Sequence, residues 1–333
     1  MKKIFILVAF LTSILLAETN LFPVKIQDKF GYINTSGELI IEAQFSEADF
    51  YSEELAKVRI GDKFGFIDPQ GELVIEAKFD DVKKFSQGFA AVKVDDKWGF
   101  IDKSGNYFFE PNLIEANSFN DNYAKVKIQN KLGIIPMGQS EAFISLEGDT
   151  LFKKQFHRLS SYSEGFAEVG KVKTFLIFPT SVKYGFIDAN MDFVIEPKYD
   201  AVGHFNNGLA PFAMKEKMGY IDKTGKITIE NDYIFTYSFS EGLGRVKDLK
   251  GYGFVDTAGK SVIEPKYQSA GDFYCGLAKF YIQGKWGYIN KIGEEVIYPQ
   301  YTYAEDFHFG LTKVSKDGKT QIINKEGVVV WPK

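Results

Sequence analysis

Residues 63–96, KFGFIDPQGELVIEAKFDDVKKFSQGFAAVKVDD, decide the fold, because residues 97–130, KWGFIDKSGNYFFEPNLIEANSFNDNYAKVKIQN, repeat their pattern 34 positions later. A bulky apolar residue followed by glycine marks each copy: Phe30-Gly31, Phe64-Gly65, Trp98-Gly99, Leu132-Gly133, Tyr184-Gly185, Met218-Gly219, Tyr252-Gly253 and Trp286-Gly287. Every step between markers is 34 residues except one of 52, and Thr320-Gln321 marks a ninth, degenerate copy. Self-similarity of this regularity is the signature of a repeat architecture.

The long step equals one period plus 18 residues, which we interpret as two insertions of nine, one before Phe156 and one near Lys173 to Ser181. Other positions keep the same period. Glycine recurs seven residues after the marker at Gly37, Gly71, Gly105, Gly225, Gly259, Gly293 and Gly327, with breaks at Gln139 and Met191. Phenylalanine recurs 21 residues after it at Phe85, Phe119, Phe205, Phe239, Phe273 and Phe307. We predict a single array of about nine units over residues 18–333, interrupted by insertions within residues 136–181.

Each unit is predicted to be a three-stranded antiparallel meander. In the second unit, residues 55–60 and 63–68 alternate as strands do, and Gly61-Asp62 between them suits a two-residue hairpin turn. Asp68-Pro69-Gln70-Gly71 has the composition of a type I turn, which leads into a third strand over residues 72–79. If Asp68 pairs with Gly71, the strands are in a register with these opposed pairs: Phe66 and Leu73, Phe64 and Ile75, and Lys63 and Glu76. The last of these pairs would be a cross-strand ion pair.

The units are expected to stack on one another. Apolar residues occur on both faces of each meander, so no unit can bury itself alone. Phe85 and its equivalents are predicted to fill the gap between successive units. Both ends carry full three-stranded units and no terminal strand to exchange. We therefore expect an open, curved, solenoid-like all-β array, with a closed β-propeller as the alternative.

The triplets Lys97-Trp98-Gly99 and Lys285-Trp286-Gly287, with Pro-Lys-Tyr downstream at residues 197–199 and 265–267, resemble the bacterial WG (KWG) repeat family. The resemblance extends from about Phe22 to Trp331. It implies a β-rich bacterial repeat protein, often exported and without an assigned activity. Most copies carry Phe, Tyr, Leu or Met in place of the tryptophan that names the family, which suggests that this position serves packing.

Residues 1–17 are typical of a secretory signal peptide. Lys2 and Lys3 precede the apolar run Ile4 to Leu16, and Ala17 is a suitable residue for cleavage. We therefore expect an exported protein, periplasmic or extracellular, with no transmembrane segment in its mature chain.

The single Cys275 cannot form an internal disulfide. A formal net charge of −4 argues against a nucleic-acid partner.

The sequence contains no catalytic, cofactor or metal signature that we recognise. Its three histidines are scattered, and His157 beside Ser160 and Ser161 is the one place where a base and a nucleophile are close in sequence. The recurring acids Asp68, Asp102, Asp188, Asp222 and Asp256 could suggest a calcium ladder. They are better explained as the first residues of turns, whose side chains accept backbone hydrogen bonds. We assign no catalytic residue, cofactor or metal.

The irregular segment is the candidate binding region, because insertions in repeat proteins tend to form loops on a binding face. It contains Phe143, Phe152, His157, Phe175 and Phe178. We expect a non-catalytic exported scaffold that binds a protein or a glycan of the cell envelope. Two alternatives remain open: a hydrolase with its site in residues 136–181, and a self-associating structural component of the envelope, suggested by the apolar run Val328 to Trp331. The oligomeric state is not predicted.

Overall fold

The computed structural model describes residues 20–132, 135–151, 156, 158–175 and 178–332. Within these residues the chain forms nine antiparallel sheets and no helix, which confirms the all-β prediction. Sheet 1 has three strands and each of the other eight has four, the first of which is short in most sheets. The predicted signal peptide, residues 1–17, lies outside the described residues.

The strands follow one another along the chain without crossovers. Sheet 1 contains β1 (Phe22–Ile26), β2 (Lys29–Ile33) and β3 (Leu39–Phe45). Sheet 2 contains β4 (Glu47–Ala48), β5 (Ala56–Ile60), β6 (Lys63–Ile67) and β7 (Leu73–Phe79). Sheet 3 contains β8 (Asp81–Val82), β9 (Phe89–Val94), β10 (Lys97–Asp102) and β11 (Tyr107–Leu113). Sheet 4 contains β12 (Glu115–Ala116), β13 (Tyr123–Leu132), β14 (Ile135–Ser145) and β15 (Thr150–Leu151). Sheet 5 contains β16 (Arg158–Ser163), β17 (Phe166–Phe175), β18 (Phe178–Ile187) and β19 (Phe193–Tyr199).

The remaining four sheets repeat this order. Sheet 6 contains β20 (Ala201–Val202), β21 (Leu209–Met214), β22 (Lys217–Asp222) and β23 (Ile227–Tyr233). Sheet 7 contains β24 (Phe235–Ser240), β25 (Leu243–Lys247), β26 (Tyr252–Asp256) and β27 (Ser261–Tyr267). Sheet 8 contains β28 (Ser269–Ala270), β29 (Leu277–Ile282), β30 (Lys285–Asn290) and β31 (Glu295–Tyr301). Sheet 9 contains β32 (Tyr303–Ala304), β33 (Leu311–Lys316), β34 (Lys319–Asn324) and β35 (Val329–Trp331).

The two predicted turns of the second unit are confirmed. Ile60 pairs with Lys63 across the Gly61-Asp62 hairpin turn. The N–H of Gly71 donates to the carbonyl oxygen of Asp68 at 2.9 Å. The Asp68 carboxylate accepts hydrogen bonds from the backbone two and four residues on, as a turn residue does.

The predicted register of β6 and β7 is wrong. Ile67, not Phe66, pairs with Leu73, and two bulges then shift the pairing so that Phe64 lies opposite Phe79. The bulges add residues to β7 that a count from the turn cannot anticipate. One consequence is that Lys63 forms its ion pair with Asp80 and not with the predicted Glu76.

The core lies between the sheets. Phe66 and Ile75 of sheet 2, for example, pack with Val92 and Ile101 of sheet 3 in one buried cluster. An aromatic pair with ring centroids 4.5–5.2 Å apart joins successive sheets at eight boundaries, which confirms the predicted plug position. The eight pairs are Tyr32–Tyr51, Phe66–Phe85, Phe100–Phe119, Phe143–Tyr162, Phe186–Phe205, Tyr220–Phe239, Phe254–Phe273 and Tyr288–Phe307.

The ninth boundary closes the ring. Nine sheets in an open row would share eight boundaries, but the described residues form nine buried clusters. In the ninth cluster Phe22 and Ile33 of sheet 1 pack with Ile322 and Val330 of sheet 9. The expected open array is therefore wrong, and the chain is a closed nine-bladed β-propeller. The two end sheets present complementary apolar faces, so packing closes the ring without an exchanged strand.

The recurring glycine in the turn after the second long strand of a blade contacts the preceding blade, and it does so across the closure of the ring as well. Gly71 of blade 2 lies over Ile41 of blade 1, at φ +85°. A Cβ added at Gly37 of blade 1 would lie 2.1 Å from the carbonyl oxygen of Val330 in blade 9. Blade 9 thus precedes blade 1 in space just as blade 1 precedes blade 2.

In blade 4 the structure places the marker position at a different residue from the one that the 34-residue period predicts. Leu132 lies at the end of β13, and the blade position of the marker residue is taken by Glu141, which pairs with Lys127 as Trp98 pairs with Lys93. The turn glycine is Gly148, whose N–H donates to the carbonyl of Ser145 at 3.0 Å. The first insertion therefore lies within the β13–β14 hairpin and not before Phe156. Leu132-Gly133 has the residue types of the marker and stands one period after Trp98, but it does not occupy the marker's place in the blade.

Candidate functional site

The propeller has two different faces. In blade 2, β5 begins at the loop that contains Glu53 and ends at the Gly61-Asp62 turn, so these two features lie at opposite ends of the blade. The turn between β6 and β7 lies at the same end as the loop. We call the end with the loops the loop face and the end with the hairpin turns the hairpin face.

Two neighbouring blades carry extended hairpins on the hairpin face. The paired strands of blade 3 have six residues each, whereas β13 and β14 of blade 4 have 10 and 11, and β17 and β18 of blade 5 have 10 each. Four extra residues lengthen a strand by about 13 Å. The two inserted segments are therefore a pair of ordered β-hairpins on adjacent blades, not loops.

Polar contacts hold the base of the blade 4 hairpin. Lys125 Nζ lies 2.6 Å from the Glu141 carboxylate, and Lys127 lies 3.2 Å from Glu115. Further out, the Asn130 amide donates to Ser140 Oγ at 2.7 Å. These cross-strand contacts indicate that the extension continues the blade as one structural element.

The structure does not bring together those of the predicted site residues that it describes. Phe143 is fully buried and packs against Tyr162, with ring centroids 4.5 Å apart, so it belongs to the core. Phe175 and Phe178 form the last backbone pair of the blade 5 hairpin. Phe152 and His157 lie outside the described residues. Of the predicted residues that the structure describes, Phe175 and Phe178 lie in the inserted part of a hairpin, whereas Phe143 lies at the base of β14, within the ordinary length of the blade.

A ring of contacts between blades runs around the loop face. The Glu53 carboxylate accepts hydrogen bonds from the N–H groups of Gln87 and Gly88 in the next blade, at 2.5 and 2.9 Å. The same position contributes such a bond at several other blades, through Asp121, Glu164, Asn207 and Glu241. In a propeller, equivalent positions of neighbouring blades are closest together near the central axis of the ring. Because these loops contact one another from blade to blade, they surround that axis.

Lysines in the turns between the second and third long strands form ion pairs with the acidic residues of this ring. Lys103 lies 3.7 Å from Glu53, Lys223 lies 3.3 Å from Glu164, and Lys291 lies 3.1 Å from Glu241. Lys291 also donates to the Glu241 carbonyl at 2.9 Å. Most of the acidic groups of the loop ring are thereby engaged in holding blades together. No cluster of metal-ligating side chains occurs among the residues that the structure describes.

The clearest candidate for acid–base chemistry is a pair near the axis. His204 Nδ1 lies 3.1 Å from the carboxylate of Glu168, which is buried. Burial raises the pKa of the Glu168 carboxyl, against the lowering effects of His204 and Arg158. Ser160 accepts from the Glu168 N–H at 2.8 Å and donates to the Ser161 carbonyl at 3.0 Å. Its hydroxyl is bonded to the backbone, and His157, the base beside it in the sequence, lies outside the described residues.

Comparison of the sequence with known protein families shows to which family the chain belongs. The WG containing repeat matches seven segments of the chain, residues 30–64, 64–98, 98–131, 184–217, 218–250, 252–286 and 286–319. The chain belongs to this family. The gap between residues 131 and 184 contains the inserted parts of the two extended hairpins. Among curated protein sequences, none matches the chain significantly.

The fold of this WG repeat protein is similar to several solved structures. Apo AztD from Citrobacter koseri is 12% identical, with 83% of this chain and 92% of AztD covered and a TM-score of 0.42. Dihydro-heme d1 dehydrogenase NirN is 11% identical, with 83% and 72% covered and a TM-score of 0.44. Kluyveromyces lactis Hsv2 is 10% identical, with 81% and 89% covered and a TM-score of 0.36. Among the described residues of our chain, no helix is long and apolar enough to span a membrane.

Proposed function

We propose that this WG repeat propeller is an exported, non-catalytic scaffold that binds a protein partner of the cell envelope through its two extended hairpins. The observation that carries the proposal is the departure of blades 4 and 5 from an otherwise uniform hairpin face. Six other blades end there in two-residue turns and blade 7 in a four-residue turn. Nine residues were added to each of two adjacent blades and to no other.

The chemistry of the inserted residues supports a protein partner. Around the two tips the sequence reads Leu132-Gly133-Ile134-Ile135-Pro136-Met137 and Phe175-Leu176-Ile177-Phe178-Pro179. Apolar and aromatic residues of this kind are enriched at the centres of protein interfaces. A hairpin also presents backbone donors and acceptors along its edge, which a partner strand can use. The proposed location in the periplasm or outside the cell rests on residues 1–17.

The test replaces each hairpin by the turn of blade 2. In one variant Gly-Asp replaces residues 129–139, and in a second it replaces residues 172–182. Each change removes nine residues and restores the length of an ordinary blade. Tagged protein purified as its expressing cell processes it is used to recover partners from envelope extract. We expect both variants to lose a partner that the unmodified protein retains, with thermal unfolding midpoints within a few degrees of its own.

A matched control variant exchanges residues without shortening a hairpin. Gln283-Gly284, the two-residue turn of blade 8, is replaced by Gly61-Asp62 of blade 2, so a turn is altered on the same face far from blades 4 and 5. This variant should recover the partner like the unmodified protein. Equal recovery by all variants, with every protein folded, contradicts the proposal.

A further inference from the structure

Blades 8 and 9 depart from the rest of the loop ring. In other blades the first position of the loop is a Ser or Asn that bonds to a backbone carbonyl of the next blade. Ser52, Ser86, Asn120, Ser163 and Ser240 make this bond, at 2.5–2.8 Å. Blade 8 has Tyr274 at this position and blade 9 has His308. The following position, elsewhere an acid or amide, is Cys275 and Phe309.

These aromatic residues form a continuous cluster, which we call the axis aromatic cluster. The rings of Tyr274 and His308 have centroids 6.2 Å apart and an interplanar angle of 29°. His308 is followed by Phe50 of blade 2, at 4.6 Å and 32°. Phe50 also contacts Phe309, at 6.1 Å. The contact between Phe50 and His308 bypasses blade 1, so the cluster lies beside the axis at the seam of the ring.

Three of the four rings of the cluster are open to solvent, and Phe50 is half-buried. Tyr274 is 40% exposed and Phe309 is 36% exposed, whereas the Phe plugs of the same loops are buried. His308 is exposed as well. The stack does not need the rings of Tyr274 and His308, since five other blades use Ser or Asn at the same position to join their neighbours. A contiguous exposed aromatic surface on a folded protein marks a binding site.

The charges around the cluster favour a neutral ligand. Its flanking carboxylates are each paired: Asp272 with Arg245 at 2.8 Å, Asp306 with Lys279 at 3.3 Å and Glu305 with Lys313 at 2.5 Å. No excess of positive charge is therefore offered to a phosphate or an anionic lipid. Carboxylates beside flat rings suit a ligand that has hydroxyl groups on its edge and C–H groups on its face.

We propose that the axis aromatic cluster is a carbohydrate-binding site for a neutral glycan, whose sugar faces stack on Tyr274 and His308. This site goes beyond the proposed function, because it lies on the loop face, opposite the extended hairpins, and does not depend on them. A scaffold with these two sites would hold a protein on one face and a glycan on the other.

The experiment titrates the protein, purified as its expressing cell processes it, with chitotetraose and with cellotetraose, observed by NMR. Tyr274→Ser and His308→Ser place in blades 8 and 9 the residue that blades 2, 3, 5 and 7 already carry, so both variants should fold. Each is expected to weaken binding about tenfold, because one stacking ring is lost. Tyr298→Ser, which removes a ring that is 72% exposed and outside the cluster, should leave binding unchanged.

Three results would overturn the proposal. The first is the absence of saturable binding of either tetrasaccharide by the unmodified protein. The second is an affinity in folded Tyr274→Ser and folded His308→Ser equal to that of the unmodified protein. The third is saturable binding of a capped Leu-Phe-Leu peptide that both variants lose while neither tetrasaccharide binds, which would assign the cluster to an apolar protein partner. The two hairpin replacements should bind the tetrasaccharide normally, so failure of the hairpin proposal and failure of this one are distinguishable.

Discussion

Gly65 shows how a single absent side chain brings two strands together. A Cβ at this position would lie 2.5 Å from the carbonyl oxygen of Ile75 and 2.8 Å from the backbone nitrogen of Ala77. Gly31, Gly99, Gly185, Gly253 and Gly287 meet the following strand in the same way. The glycine of the repeat is therefore required by backbone contact within the blade. Gly65 lies where a bulge interrupts the pairing of β6 and β7.

Substitution of this glycine should destabilise the propeller. We expect Gly65→Ala to lower the free energy of unfolding by about 2 kcal/mol, because backbone cannot yield to the new methyl group. Urea unfolding followed by circular dichroism measures the change. Gly61→Asn is the control, since no atom lies near its Cβ and the equivalent Asp95 and Lys215 already adopt positive φ. A cost for Gly65→Ala no larger than that of the control would contradict the packing role.

Glu168 should make stability depend on pH. Its folded-state pKa is raised by burial, so the folded state favours the protonated carboxyl. The contribution of this group to stability is present below the ordinary pKa of a glutamate and is lost as the pH rises through the raised value. Compared with Glu168→Gln, the unmodified protein should therefore lose stability as the pH rises from about 4.3, the ordinary pKa of a glutamate, through the raised pKa of the folded state. Unfolding of both proteins across this range gives the difference, and a constant or opposite trend would contradict it.

The blade boundary is the element that carries most of the stability. Phe85 is fully buried between blades 2 and 3 and contacts Phe66, with ring centroids 4.8 Å apart. We expect Phe85→Ala to cost about 3–5 kcal/mol, since it leaves a cavity at the boundary. Tyr298→Ala, at an exposed ring, should change stability by less than about 1 kcal/mol. Chemical unfolding of the two variants measures both changes in the free energy of unfolding. A change for Phe85→Ala as small as that for Tyr298→Ala would show that the boundary is not the core.

Much of each element could be predicted from the sequence, because its signals are local. The Gly61-Asp62 turn, the Asp68 turn and the plug ring Phe85 all depend on residue type at a fixed spacing. The register of β6 and β7 could not be predicted, because bulges change the pairing without a mark in the sequence. The place of the marker in blade 4 could not be predicted either, because Leu132-Gly133 has its residue types and spacing, and the sequence therefore predicts the core residue Phe143 to lie in the insertion.

At the scale of the whole molecule, ring closure could not be read from the repeats. The absence of a split terminal repeat predicted an open array, but closure depends on the fit of two distant apolar faces. Phe22 and Ile33 at one end and Ile322 and Val330 at the other have the same character as every internal boundary. The axis aromatic cluster was missed for the same reason, since Phe50 and His308 meet only once the ring is closed.

Closure is tested most directly by the distance between the two ends of the chain. Spin labels are placed at Gln27→Cys and Asp317→Cys, the equivalent turn positions of blades 1 and 9, with Cys275 replaced by serine. The reference pair is Gln283→Cys and Asp317→Cys, on the neighbouring blades 8 and 9. Double electron–electron resonance should give the same distance for both pairs. A distance between blades 1 and 9 several times that of the reference pair would show that the array is open and would contradict the propeller.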